Sequence, residues 1–153
     1  DRSLHDALMV VKDVVENPSI VAGGGSPEAY LAAELNEWSS SSEGREQLAI
    51  KQYAEAFESI PLTIAENAGM DPIDTIITLR ANQSNGKEAV GINAKEGKIG
   101  NMFSLDIVEP LAVKEQIIKS ATETACMILR IDDVISSKGG TGMDAGDFDG
   151  FDM

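Results

Sequence analysis

Aromatic residues make up only 5% of this chain, which removes the stacking platforms on which single-stranded nucleic acids are usually held. Basic residues are also scarce. Against 26 Asp and Glu stand 12 Lys and Arg, and the formal net charge of -14 repels phosphate backbones and anionic lipid surfaces alike. Neither nucleic acid nor a membrane is an expected partner. The single cysteine, Cys126, has no second thiol with which to form an internal disulfide. No apolar run is long enough to span a bilayer, and the first residues lack the pattern of a secretory signal. These absences point to a cytoplasmic setting. The one histidine, His5, has no partner at ligand spacing, so a helix-surface role is expected for it and no metal cluster is expected.

What remains is 153 residues, 42% hydrophobic, enough for the core of one domain. The apolar residues Leu4, Ala7, Leu8, Val11 and Val15 recur at helical spacing, with Asp6 and Asp13 opposite, which predicts an amphipathic helix ending near Glu16. This helix is already in period at its first turn and Asp1 is not Met, so the chain reads as part of something longer. Pro18 stops the helix, and "IVAGGG" crosses over to a second one. There Ser26 is the expected N-cap, Pro27 the first helical residue, and Trp38 the approximate end.

A long helix follows over "REQLAIKQYAEAFESIPLTIAENAG", with Leu48, Tyr53, Phe57, Ile60 and Ile64 expected inward and Pro61 expected to kink it. "DPIDTIITLRANQ" has Asp71 as N-cap and Pro72 at the first position of another helix. "AVGINAKEGKIGNMF" reads as two short strands joined by a Lys-Glu-Gly turn. In "EPLAVKEQIIKSATETACMILRI" the stripe of Val113, Ile117, Ala121, Ala125 and Ile128, widened by Ile118 and Leu129, predicts a helix buried on more than one side. "RIDDVI" is a candidate short strand. The end, rich in glycine and aspartate with no basic residue after Gly139, reads as a disordered acidic tail over 139–153. The fold class is therefore mainly α: a helical bundle with a small β hairpin.

Few residues carry chemistry by pattern. Three consecutive glycines, Gly23, Gly24 and Gly25, stand directly before a helix start. Such a turn offers backbone N–H groups and the positive end of a helix dipole to an anion, yet it also fits a tight crossover, which spacing alone favours. It is neither a Walker A loop nor a dinucleotide fingerprint. Asp6 could orient a water toward a phosphoryl group, but a solvated helix face explains both it and Asp13. Glu109, just before Pro110, is explained by a helix macrodipole alone, and Asn93 flanks the hairpin.

Taken together and in order, "RSLHDALMVVKDVVENPSIVAGGGSPEAYLA", "GREQLAIKQYAEAFESIPLTIAENAGMDPID" and "NMFSLDIVEPLAVKEQIIKSATETACMILRIDDVI" closely resemble the C-terminal part of group II chaperonin subunits, most like those of the archaeal thermosome. The resemblance covers nearly the whole chain before the tail. It implies a double-ring, ATP-driven protein-folding machine with other chaperonin subunits and unfolded proteins as partners. Residues 1–20 would end the intermediate domain, 21–138 would form the C-terminal half of the equatorial ATP-binding domain, and 139–153 would be the flexible tail.

By position, the resemblance implies that Asp6 is the catalytic aspartate acting on the attacking water. It makes Gly23, Gly24 and Gly25 nucleotide-contacting residues, puts Asn93 and Ala94 along the adenine pocket, and gives Glu109 the ribose hydroxyls. ATP or ADP with Mg²⁺ is the implied cofactor set. The family's phosphate loop, with the aspartate that holds Mg²⁺, is not in this sequence, so no metal ligand is assigned here. By itself the chain is expected neither to hydrolyse ATP at the rate of a complete subunit nor to enclose a substrate. The alternative reading is a stand-alone helical ring-contact module without ATPase activity.

Overall fold

The computed structural model describes residues 1–132. In order come α1 (Arg2–Glu16), β1 (Ile20–Ala22), α2 (Ser26–Ser39), α3 (Gly44–Asn67), α4 (Pro72–Ser84), β2 (Val90–Asn93), β3 (Lys98–Asn101), a 3-10 turn (Phe103–Leu105), β4 (Val108–Pro110) and α5 (Leu111–Leu129). The chain divides into two compact units, 1–118 and 119–153. The first holds the core. The described part of the second is the remainder of α5 with the short segment after it.

Local signals explain most element boundaries. Asp71 caps α4 by accepting from the amides of Ile73 and Asp74 at 2.9 and 3.0 Å, and Pro72 follows where a missing N–H costs nothing. Gly69, with φ of 72°, ends α3: its amide donates to the Glu66 carbonyl and that of Met70 to Ala65, which satisfies carbonyls left over at the helix end. The hairpin β2–β3 pairs antiparallel with Ile92 opposite Ile99 and Asn93 opposite Lys98. Its turn carries Gly97 at φ of 63°, a backbone setting that glycine adopts without penalty.

The core joins Ala29 of α2, Ala65 of α3, Ile76 and Leu79 of α4, and Val90 and Ile92 of β2. Helix α2 lies on α3 and α4, and Ala32 of α2 and Ala54 and Ala65 of α3 are fully buried. This corrects the expected inward face of α3. Phe57 is buried and Ile64 partly so, but Leu48, at 65% exposure, Tyr53 and Ile60 are exposed. The buried line is Ala54, Phe57, Glu58, Pro61 and Ala65, because alanine lets helix backbones approach where leucine would hold them apart.

Three other expectations are corrected. The left-handed N-cap of α2 is Gly25, not Ser26; Ser26 is the first helical residue and its buried hydroxyl donates to the Glu88 carbonyl. In α5 no residue is buried: Val113 and Ile118 are half-buried, and Ile117, Ile128 and Leu129 are exposed, because apolar spacing alone marks a stripe without supplying what would cover it. Ile131 and Asp132 are not in a strand; the rest of the candidate strand, 133–135, and the expected tail lie outside the described residues. A second two-stranded sheet, absent from the sequence reading, pairs β1 with β4.

Candidate functional site

Sheet β1–β4 delivers the glycine turn to its neighbours. Val21 lies opposite Glu109 and Ala22 opposite Val108, so the chain enters Gly23 beside the strand that carries Glu109. The Gly23 amide donates to the Ile107 carbonyl at 2.9 Å, and the Gly24 carbonyl accepts from the Ile92 amide at 2.8 Å. The turn is thus bonded on one side to the start of β4 and on the other to β2. Gly24 and Gly25 have φ of 65° and 74°, which costs an L-residue with a side chain roughly 1–2 kcal/mol.

What approaches these glycines closely is the chain itself. A methyl group at Gly24 would come within 2.5 Å of the Ile92 carbonyl oxygen and 2.7 Å of the Met102 sulfur. At Gly25 it would meet Pro61 of α3 at 3.0 Å, and at Gly23 the Ile107 side chain at 3.0 Å. Gly91 is the reciprocal partner: its methyl would meet the Gly23 and Gly24 carbonyl oxygens at 2.7 and 3.0 Å. Two glycine backbones therefore pass face to face, and at Gly24 and Gly91 the chain itself leaves no room for a side chain.

Beside this crossing lies a cleft of about 560 Å³ that brings together Gly24, Asn93 and Ala94, with Ile64, Leu105 and Ile107 as apolar walls. Its size falls within the range of small-molecule sites. Asn93 is buried and structurally engaged: its Oδ1 accepts from the Lys95 amide at 3.2 Å, and its carbonyl accepts from Glu96 and Gly97. Ala94 is exposed. A larger cleft, about 860 Å³, lies by Thr78, Lys87 and Gly100 and contains none of the expected site residues.

Glu109 does not line the Gly24 cleft. One of its oxygens, Oε1, stands 3.3 Å from where a methyl at Gly23 would be. The other, Oε2, is 2.5 Å from the Lys114 ammonium, which also binds Oε1 of Glu28 at 2.6 Å. Burial pulls Lys114 toward its neutral form, but hydrogen bonds to Glu109 and Glu28 and their charges outweigh it and hold the ammonium above its ordinary value. Glu28 sits in the first turn of α2, and its Oε2 is buried without a hydrogen-bond partner.

Asp6 is on the exposed helix α1, which touches β4; its side chain is not among the cleft walls. Among the described residues no group of three or more His, Cys, Asp and Glu could hold a metal ion, and no helix is long and apolar enough to cross a membrane. The sequence reading missed Gly91, Met102 and the Glu28–Lys114 pair. A glycine inside a β pattern is a sign of close backbone approach and could have marked Gly91; no local signal marks a pair separated by most of the chain.

The model of the TCP-1/cpn60 chaperonin family matches residues 1–139. Thermosome subunit 1 of Haloferax volcanii is 48% identical over 151 residues, covering 96% of this chain and 27% of the relative. Thermosome subunit alpha of Archaeoglobus fulgidus is 48% identical over 139 residues, 91% of this chain and 26% of the relative. Among solved structures, an open-state monomer of a group II chaperonin from Methanococcoides burtonii matches with a TM-score of 0.78 at 46% identity, over 86% of this chain and 33% of that one. The chain spans about a quarter of the length of these curated relatives.

Proposed function

Because the chain belongs to the TCP-1/cpn60 chaperonin family, we propose that it supplies one part of the nucleotide site of a group II chaperonin subunit that folds proteins by ATP binding and hydrolysis. The observation that carries this reading is the cleft beside the glycine turn, which draws Gly24, Asn93 and Ala94 to one place from α2's approach and the β2–β3 turn. In this reading Asn93 and Ala94 lie along the adenine, and Gly23, Gly24 and Gly25 admit the ribose and phosphates. Glu109 accepts from the ribose hydroxyls.

Asp6, in the same reading, orients and deprotonates the water that attacks the γ-phosphorus, which leaves as phosphate once its bond to the ADP oxygen breaks. Mg²⁺, when bound, would neutralise phosphate charge; the aspartate expected to hold it belongs to the family's phosphate loop, and no residue of this chain is assigned to it. Residues 1–20 are read as the end of the intermediate domain, 21–138 as equatorial and 139–153 as the tail. The partners are further subunits in a double ring and unfolded proteins, in the cytoplasm. This chain alone is expected to be inactive.

Photolabelling the complete protein with an azido-adenine nucleotide tests the assignment. Label in residues 91–96, suppressed by excess ATP, is the expected result. Label confined to other segments contradicts it. A second reading, a helical contact module without ATPase activity, draws on the exposed Leu4, Leu8, Val11 and Val15 of α1. It predicts no ATP-competed label at all.

A further inference from the structure

Lys114 joins three elements at one atom: Glu28 from α2, Glu109 from β4, and its own first turn of α5. Its side chain is 12% exposed and that of Glu28 only 3%, whereas Glu109 keeps 37%. The buried end of the group is therefore fixed, and the open end is the Glu109 carboxylate. Glu28 has one oxygen on Lys114 and the other without a partner, so the ammonium is the charge that Glu28's burial depends on.

From this geometry we infer that Lys114, seated by Glu28, is a positioning residue for Glu109: it binds Oε2 and leaves Oε1 held beside Gly23 to receive a ribose hydroxyl. The inference rests on the proposed ribose role of Glu109. A glutamate with three rotatable bonds and no anchor would spread over many orientations. Anchoring one oxygen of the carboxylate restricts where the other can point, which is how a neighbouring charge sharpens a hydrogen-bonding group without touching the ligand. Oε1 lies against the Gly23 turn, where a methyl would stand 3.3 Å from it and press on it.

The rival explanation is a purely structural tie between α2, β4 and α5. The two differ in what they do to ribose discrimination. In the complete protein, calorimetric affinities for ATP and 2′,3′-dideoxy-ATP are compared in wild type, Glu109→Gln, Lys114→Met and the double variant Glu28→Gln/Lys114→Met. The double variant removes the stranded buried charge and so protects against simple misfolding.

Wild type is expected to prefer ATP by about tenfold or more, the worth of a hydrogen bond to a charged group. Each variant is expected to reduce that ratio to about threefold or less, with dideoxy-ATP affinity unchanged within about threefold. Lys114 variants that keep the wild-type ratio, or that weaken both nucleotides equally, overturn the positioning role while a loss of preference in Glu109→Gln leaves the ribose reading standing. Absence of any preference in wild type, or its retention in Glu109→Gln, overturns the ribose reading and this inference with it.

Discussion

The amide of Ile92 donates to the carbonyl of Gly24 at 2.8 Å, and the carbonyl oxygen of the same Ile92 lies where a side chain on Gly24 would have to go. One residue of β2 therefore both holds the glycine turn and forbids it a Cβ. Gly24→Ala is expected to destabilise the protein by about 2–5 kcal/mol, from a left-handed backbone setting and a steric conflict with immovable backbone. Gly97→Ala shares the positive φ but has nothing closer than 3.7 Å, so about 1 kcal/mol is expected. Denaturant midpoints of the two variants separate the steric contribution from the dihedral one.

The buried face of α3 makes a second contrast. Ala54→Leu inserts volume where nothing is exposed and is expected to cost about 1–3 kcal/mol or more. Leu48→Ala, on the same helix but largely exposed, is expected to stay within about 0.5 kcal/mol in this unit. Chemical denaturation of both variants would reverse this order if the apolar stripe read from sequence were the true buried face.

Lys114→Met strands Glu28 without its counter-charge, and about 3–5 kcal/mol of destabilisation is expected. Adding Glu28→Gln removes the buried charge and is expected to recover more than half of that loss. A double-mutant cycle on denaturation free energies measures the coupling. Additive losses would mean that the two side chains do not interact as their 2.6 Å separation states.

Lys114 also sets an expectation for alkaline pH. Its folded-state pKa lies above the ordinary lysine value of 10.5, so the folded protein holds that proton more tightly than the unfolded chain does. The stabilisation is complete below about pH 10.5 and is lost as pH rises through the folded value. Tyr30, raised by Glu34 and then Glu88, acts in the same sense. Stability measured from pH 9 upward is expected to fall less steeply in Glu28→Gln/Lys114→Met than in wild type; equal slopes would contradict the assignment.

Much of this architecture is legible from local chemistry. Asp71, Pro72 and Gly69 act through bonds to residues a few positions away, so the α3–α4 junction follows from sequence, as does the hairpin with its Lys-Glu-Gly turn. The β1–β4 sheet does not. Its strands are three residues each, too short for an alternation to register, and pair across most of the chain. Glu109, read from sequence as a helix-dipole residue, is a strand residue for that reason.

Hydrophobic spacing likewise identifies α1 and α5 as amphipathic but not what covers them: in the described chain Val15 and Leu129 remain exposed. The glycine triplet stands out in the sequence, but that Ile92 and Met102 pack against Gly24 does not.

Steady-state ATP hydrolysis by the complete protein, comparing Asp6→Asn with Asp13→Asn, tests the central claim most directly. Both carboxylates belong to the same exposed helix, so only a role at the reacting water distinguishes them. Asp6→Asn is expected to lower kcat by about 10²–10⁴-fold with nucleotide affinity preserved, and Asp13→Asn to leave it within about twofold of wild type. An Asp6→Asn variant that turns over ATP at the wild-type rate would contradict the account.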